Sequence, residues 1–221
     1  VSILVEEDIK ANDKTYSCGI GVDLGIKDTA ICSSGMKFKN INKTSKVKKI
    51  ERKLKREQRR LSRKYESLII RNKNNKEVAT RQKIQKQIVK VQKIHQRLSN
   101  IRNDYNNKIV SELVKNKPVF ITIEDLTISN MMKNKHLSKA IQQQKLYDLT
   151  NKLISKAHKN NIEIRQVSRW YPSSKLCNKC GRIKKDLKLS DRIYDCDCGY
   201  SLDRDINASY NLRDAREYKI I

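Results

Sequence analysis

Apolar and polar positions follow a strand pattern near the start of the chain. Residues 17–40, SCGIGVDLGIKDTAICSSGMKFKN, contain short apolar runs that are interrupted by Gly25 and by the Ser-Ser-Gly sequence at 33–35. Such punctuation predicts two or three short strands joined by tight turns. Because both connections are short, we expect the strands to form an antiparallel meander.

The middle of the chain has a helical pattern instead. Residues 43–117 contain neither glycine nor proline, and their apolar positions recur at helical spacing in two halves. The Asn-rich segment RNKNN, residues 71–75, separates the halves and predicts the turn of a helical hairpin over about 43–117. The periodic positions are Ile50, Leu54, Leu61 and Leu68 in the first half, and Ile84, Ile88, Val91, Leu98 and Ile101 in the second.

Strand and helix patterns alternate after the hairpin. The segment VFITIED (119–125) predicts a β-branched, apolar strand, and LTISNMMKNKH (126–136) predicts a polar loop. An amphipathic helix is predicted over 137–161 and another strand over 162–168, a succession whose length suits a parallel crossover. A final helix is predicted over DINASYNLRDAREY, residues 205–218.

The charge of the chain points to a polyanionic partner. Lys and Arg outnumber Asp and Glu by 50 to 24, which gives a formal net charge of +26. Residues 43–117 hold 25 basic and 6 acidic residues and therefore carry +19 of that charge. A solvated coiled-coil face is the alternative explanation, but basic residues on a thin apolar seam favour contact with phosphates. The side chains that we expect to bind nucleic acid are Lys53, Arg56, Arg59, Arg60, Arg63 and Lys64.

Membrane association is not expected. The sequence has no run of 18 apolar residues and no helix that pairs a basic face with a broad apolar face. The opening residues, VSILVEEDIK, lack the charged and apolar regions of a signal peptide, so a cytoplasmic location is expected.

Four of the six cysteines are arranged as a metal site. They form C-x2-C and C-x-C pairs separated by fifteen residues, and a glycine follows each pair. This spacing predicts a tetrahedral thiolate site of the zinc-ribbon kind with a structural Zn²⁺, although the second pair is one residue shorter than usual. Four buried cysteines without a metal are the alternative, and Cys18 and Cys32 are expected to pack in apolar strands. The predicted ligands are Cys177, Cys180, Cys196 and Cys198.

Carboxylates stand at the ends of the most apolar segments. Asp23 and Glu124 end predicted strands, and Asp203 and Asp205 open the last predicted helix. Individually these are explained as a turn residue, a solvated strand end and a helix N-cap. Together, carboxylates that converge at a sheet edge repel one another and favour binding of Mg²⁺ or Mn²⁺. A pair of such ions catalyses phosphodiester hydrolysis, so the sequence predicts a nuclease with an acidic pocket and a basic surface.

Four segments resemble the OrfB/TnpB proteins of insertion-sequence transposons, which are relatives of the type V CRISPR effectors. GIGVDLGIKDTAICSSG, ITIEDL, WYPSSKLCNKCG and LDRDINASYNL occur in the order found in that family, and the resemblance covers about residues 18–212. It implies an α/β fold with an RNase H-like (RuvC-type) mixed sheet, flanking helices, an inserted basic helical hairpin and an inserted zinc ribbon. It also implies an RNA-guided DNA endonuclease, with DNA and guide RNA as partners in intact relatives.

Motif positions assign the catalytic roles. The resemblance implies that Asp23, Glu124 and Asp205 are the three catalytic carboxylates and metal ligands, with Asp203 as the alternative to Asp205. It divides the chain into a nuclease core at 1–171, a zinc ribbon at 172–202 and the last nuclease motif with its helix at 203–221. Since the first residue is Val and the family carries a long N-terminal half, we expect this chain to correspond to the C-terminal half.

Two further functions remain open at this stage. The first is a catalytically idle fragment that binds nucleic acid through the hairpin and the ribbon. The second is a structural coiled-coil protein, in which the charge of the hairpin is only a solvated face. Trp170 and Tyr171 precede the ribbon and suit either stacking on an unpaired base or packing between ribbon and core. We expect the packing role. The oligomeric state is not indicated by the sequence.

Overall fold

A six-stranded mixed sheet organises the part of the chain that carries the carboxylates. The computed structural model describes residues 18–74, 81–188 and 190–221. The strand order is β3-β2-β1-β4-β5-β8. The strands are β1 (Ile20–Leu24), β2 (Asp28–Cys32), β3 (Lys37–Lys39), β4 (Phe120–Glu124), β5 (Glu163–Val167) and β8 (Lys219–Ile220), while β6 (Ile193–Asp195) and β7 (Ser201–Asp203) form a separate antiparallel pair.

Strand directions agree with the sequence patterns. The first three strands pair antiparallel, which confirms the predicted meander. β4 is parallel to both β1 and β5, which confirms the predicted crossover between β4 and β5. The two-residue strand β8 pairs antiparallel with β5 and was not predicted, because two exposed residues carry no periodic signal.

The helices depart from the prediction in three places. They are α1 (Ser45–Asn74), α2 (Gln82–Lys115), α3 (Ile128–Met132), α4 (Ser138–Gln144), α5 (Leu146–His158) and α6 (Arg204–Arg213). The segment predicted as a polar loop contains α3, and the single helix predicted over 137–161 is two helices. Lys145, between them, has φ 53° in the left-handed region, so the helix cannot continue through it. The last helix ends at Arg213 rather than at residue 218.

Glycine at position 21 allows α6 to lie directly on β1. A Cβ atom at Gly21 would stand 2.0 Å from the carbonyl oxygen of Ser209 and 2.4 Å from the amide nitrogen of Arg213. Both are backbone atoms of α6, so no side-chain rotation can make room. On the same layer, buried Leu212 packs with Val167 and Ala215. The absence of a side chain at Gly21 therefore sets how closely the helix that carries Asp205 approaches the sheet.

Residues 41–105 form a second compact unit, separate from the unit that comprises residues 18–40 and 106–221. In it, Val47 and Ile50 of α1 pack with Leu98 of α2. Gln87 Nε2 of α2 donates hydrogen bonds to the backbone oxygen of Glu57 at 3.1 Å and to its carboxylate at 2.8 Å. The apolar contacts pair the start of α1 with the middle of α2, and the hydrogen bonds pair the middle of α1 with the start of α2, so the two helices run antiparallel, as a hairpin requires.

The turn predicted at residues 71–75 is wrong for the four of these residues that are described, and only the fifth lies outside the described residues. Residues 71–74 of the RNKNN segment are helical, because α1 continues to Asn74, and residue 75 is not described. Across residues 18–74, 81–188 and 190–221, no helix combines the length and the apolar character that crossing a lipid bilayer requires.

Candidate active site and metal centre

Two of the predicted carboxylates stand at the same edge of the sheet. Asp23 is the fourth residue of β1, and Glu124 is the last residue of β4. The register pairs Val22 with Ile123 in parallel strands, which places Asp23 beside Glu124 on one face of the sheet. Both side chains are partly buried.

The other two predicted carboxylates, Asp203 and Asp205, have different roles at the start of α6. Asp203 is the N-cap, and its Oδ1 accepts hydrogen bonds from the backbone N–H groups of Asp205 at 2.9 Å and Ile206 at 3.2 Å. The N-cap role considered for Asp205 therefore belongs to Asp203 instead. Asp205 lies in the first helical turn, with Arg204 Nη2 3.3 Å from its Oδ1 and Arg192 Nη1 3.9 Å from its Oδ2.

Burial and neighbouring negative charges raise the pKa of two of these carboxyl groups, Asp23 and Glu124. Burial, together with the charges of Asp205 and Glu124, raises the pKa of Asp23 to about 7. Burial also raises the pKa of Glu124 to about 7, with a smaller contribution from Asp125. The charge of Asp205 acts on Asp23 more strongly than that of Asp203 does. The fold thus brings Asp23, Glu124 and Asp205 into one electrostatically strained cluster.

This strain predicts a pH-dependent stability. A carboxyl group whose pKa is raised on folding binds more protons in the folded state, so the free energy of unfolding falls as pH rises from about 4 to 7. Without added divalent cations, Asp23→Asn should therefore stabilise the chain at pH 8 by on the order of 2 kcal/mol, or roughly 4–8 °C in Tm. The measurement is thermal unfolding of both proteins at pH 5 and pH 8. An equal fall in Tm for both would contradict the assignment of the strain to Asp23.

The four predicted cysteine ligands converge in a second site. Their Sγ atoms all lie within 4.8 Å of one another, with Cys177 and Cys198 3.7 Å apart and Cys180 and Cys196 3.6 Å apart. Four sulfurs that bind a tetrahedral zinc at about 2.3 Å are separated by about 3.8 Å. The shorter C-x-C pair therefore does not prevent a geometry that can hold a metal ion.

Glycines shape the two cysteine turns. Gly181 has φ 73° and Gly199 has φ 79°, values in the left-handed region that favour glycine. The backbone N–H of Arg182 donates to the Cys180 sulfur and lowers the pKa of this thiol to about 7. Burial raises the pKa of Cys198, and the donor N–H of Tyr200 opposes that rise. Such donors stabilise the deprotonated thiolate, and the thiolate is the form of cysteine that binds metal ions.

Two asparagines of α6, which the sequence did not identify as site residues, connect the cysteine site to the sheet domain. Buried Asn207 donates from Nδ2 to the carbonyl of Leu176 at 2.7 Å. Asn211, one turn later, donates to the carbonyls of Ser173 and Leu176, each at 2.7 Å. The available signal was their i, i+4 spacing on a helix, which places both side chains on one face. They hold the segment before Cys177 against α6.

Loss of one of these hydrogen bonds should destabilise the chain measurably. Asn207→Ala removes, at a buried position, one of the two donors to the Leu176 carbonyl and the acceptor of the Asn178 N–H, so we expect the free energy of unfolding to fall by about 1–3 kcal/mol. Denaturant unfolding measures the change. The matched control is Asn151→Ala on an exposed position of α5, which should be close to neutral. Equal effects at the two positions would contradict the role of Asn207.

The basic residues predicted to bind nucleic acid lie on α1. Five of the six have exposed side chains, and Lys64 is partly buried, with its Nζ donating to the Lys83 carbonyl at 3.2 Å. Arg60 is also engaged, in an ion pair with Glu57 at 2.8 Å. Their role in binding nucleic acid stays a prediction. The exposed residues are Lys53, Arg56, Arg59, Arg60 and Arg63.

Other sequence predictions are confirmed for some residues and wrong for others. Cys32 is buried, and burial raises the pKa of its thiol to about 12, as expected of a packing residue, but Cys18 is exposed.

Tyr171 packs beside Val167 and Leu212, as expected, whereas Trp170 has 82% of its surface exposed. The packing role expected of Trp170 is therefore wrong.

Comparison with known proteins identifies the family. The family model OrfB_IS605, described as "Probable transposase", matches residues 2–135, which is more than half of the chain. The chain belongs to the OrfB_IS605 family. A second model, "Cas12f1-like, TNB domain", matches residues 147–212 of this OrfB-family chain.

Two curated proteins are similar over most of the OrfB-family chain. A "Putative RNA-guided DNA endonuclease" of Streptomyces pristinaespiralis is 34% identical over 96% of this chain and 48% of its own length. The "Putative RNA-guided DNA endonuclease InsQ" of Escherichia coli K12 is 30% identical over 96% of this chain and 52% of its own length. The chain thus spans about half the length of these relatives.

Solved structures share the fold. The "Cas12f1-sgRNA-target DNA complex" contains a protein chain that matches with a TM-score of 0.61 at 17% identity, over 94% of this chain and 52% of that one. A "CRISPR-Cas12f Ternary Complex" matches with a TM-score of 0.58 at 21% identity, over 100% of this chain and 42% of that one. At these identities the likeness extends to the fold.

Proposed function

We propose that this chain is the metal-dependent, RuvC-type nuclease part of a transposon-encoded, RNA-guided DNA endonuclease, with an RNase H-like sheet. The observation that carries the proposal is the cluster of Asp23, Glu124 and Asp205. β1, β4 and α6 bring these side chains together from distant parts of the sequence. Burial and the charges of neighbouring carboxylates raise the pKa of Asp23 to about 7, as expected of a carboxylate cluster without a bound cation to neutralise it.

The residues of both sites fit the ions that we assign to them. Carboxylate oxygens are the hard ligands that Mg²⁺ and Mn²⁺ prefer, so Asp23, Glu124 and Asp205 would hold the catalytic ions. When bound, such ions supply an activated water and stabilise charge on the scissile phosphate. The fold's own contribution is to fix the three carboxylates on two strands and a helix. The four cysteines would hold a structural Zn²⁺, since all four positions are provided by the protein.

Nucleic acid is the proposed partner of the basic hairpin. Its exposed Lys and Arg side chains suit phosphates and carry little base readout, so binding should weaken steeply as salt rises. The names of the curated relatives and of the matched structures support DNA as substrate and guide RNA as partner. Because the chain spans about half of those relatives, both partners are proposals for it.

The test is cleavage of labelled single-stranded DNA by the purified chain in Mg²⁺ or Mn²⁺, compared with Glu124→Gln. We expect the parent to cut DNA and Glu124→Gln to lose the activity, because the substitution replaces a charged carboxylate that would bind the metal ion with a neutral amide. The matched control is Glu163→Gln, the same chemical change at the opposite end of the parallel pair β4 and β5. The control should cut like the parent.

Cleavage that survives in Glu124→Gln would overturn the assignment of catalysis to the carboxylate cluster. If neither parent nor variant cuts, while both bind DNA in a salt-dependent way, the chain acts as the nucleic-acid-binding fragment instead.

A further inference from the structure

Trp170 is the most exposed large apolar side chain of the described residues, yet its backbone is held firmly. Its N–H group donates to Ser168 Oγ at 3.3 Å. The next residue, Tyr171, donates from its backbone to the Ser168 carbonyl at 2.9 Å and from its hydroxyl to the Asn211 carbonyl at 3.0 Å. The turn after β5 thus presents the indole from an anchored position, although 82% of the residue faces solvent.

Arg169 ties this indole to the end of β4. Its guanidinium carbon lies 5.4 Å from the centroid of the Trp170 ring, within the range of a cation–π contact. Its Nη1 also donates to Thr127 Oγ1 at 3.3 Å, three residues beyond Glu124. Arg169 therefore contacts both the exposed ring and the segment that follows Glu124.

A cavity of about 400 Å³ opens beside the ring. Asp125, Gln166, Trp170 and Tyr218 are among the residues that line it. Its volume lies in the range of about 300–1,000 Å³ that is common for small-molecule sites. Trp170 follows Val167, the strand partner of Glu124, by three residues, so the turn that carries the ring lies at the same end of the sheet as the carboxylate cluster.

We propose that Trp170 is a stacking platform that receives one unpaired base of a single-stranded nucleic acid lying across the carboxylate cluster. An exposed, anchored aromatic ring with an adjacent guanidinium suits a base whose π-face is open and whose backbone is anionic. A base in a duplex is covered by its neighbours on both faces, so the platform selects unpaired strand. The inference deepens the nuclease function proposed above and rests on it for the identity of the ligand.

The chain offers a direct probe, because Trp170 is its only tryptophan. In the Glu124→Gln background, which prevents cleavage, oligothymidine should quench the intrinsic tryptophan fluorescence. An oligomer of abasic deoxyribose phosphates with the same length should bind through its phosphates without quenching. Trp170→Leu keeps apolar volume but removes the aromatic face, and we expect it to bind oligothymidine about 5- to 100-fold more weakly in fluorescence anisotropy.

Trp170→Phe is the matched variant and should retain most of the affinity, because it keeps a face for stacking. The slope of binding against salt should be the same in Trp170→Leu and its parent, since no phosphate contact is lost. Equal affinity of the two proteins for oligothymidine, without quenching of Trp170, would overturn the platform even if the chain cleaves DNA. Quenching and loss of affinity in a chain that never cleaves would keep the platform and overturn the nuclease proposal.

Discussion

Asp205→Asn should lower the rate of DNA cleavage by about 10³-fold or more, whereas Asp203→Asn should keep the rate within about 10-fold of the parent. A bound metal ion stabilises the charge of the transition state of phosphodiester hydrolysis by several kcal/mol, and loss of that stabilisation corresponds to a rate change of this size. Asp205 is the acidic residue whose charge acts most strongly on Asp23. Asp203 uses Oδ1 to cap α6, and asparagine caps a helix almost as well as aspartate.

The two variants control for each other, because each exchanges one carboxylate for an amide and the positions are two residues apart. The measurement is single-turnover cleavage over a series of Mn²⁺ concentrations, with thermal unfolding to show that both variants fold. A 10³-fold loss in Asp203→Asn with an active Asp205→Asn would reverse the roles of the two residues. Equal activity of both variants would remove the start of α6 from the proposed site.

Removal of zinc should unfold the ribbon. Structural zinc sites of this kind have apparent binding free energies of about 10–16 kcal/mol, most of which is folding free energy. The buried centre of this segment is small: Tyr194 is fully buried, and its hydroxyl donates to the carbonyls of Lys175 at 3.1 Å and Arg182 at 3.3 Å. We expect a chelator to abolish hydrogen-exchange protection around Tyr194, and added zinc to restore it.

Cys196→Ser should have the same effect without a chelator and should lower the zinc content below one ion per chain. Cys18→Ser is the control, because Cys18 is an exposed cysteine outside the cluster. Full protection around Tyr194 after zinc has been removed would show that the segment folds by its own packing and would contradict the structural role of the metal.

Local sequence patterns predicted the parts of the fold that depend on neighbouring residues. The β1–β3 meander followed from its turn residues, and the parallel pair β4 and β5 followed from the strand–helix–strand succession. The break at Lys145 had no such signal, because lysine rarely adopts a positive φ and the apolar spacing continues across it. That conformation is accompanied by a contact with a distant residue, since Asn106 Nδ2 donates to the Lys145 carbonyl at 3.3 Å.

In the candidate site, too, the sequence predicted some features and missed others. The positions of Asp23 and Glu124 at strand ends were readable from the apolar runs that precede them. The division of roles between Asp203 and Asp205 depends on which residue begins the helix, and a sequence leaves that boundary uncertain by one or two residues. Exposure of Trp170 was predicted wrongly, because burial of a large aromatic residue is the more frequent outcome in a folded chain.

Strand β7 ends at Asp203, the residue that caps α6, so no loop separates the ribbon from the helix that carries Asp205. Asn207 and Asn211 bind the other end of the ribbon to the same helix. On the assignments proposed above, an ion that fixes the ribbon would therefore also fix Asp205, one of the proposed ligands of the carboxylate site. By thermodynamic reciprocity, whatever zinc then adds to the affinity for Mg²⁺, Mg²⁺ must add to the affinity for zinc.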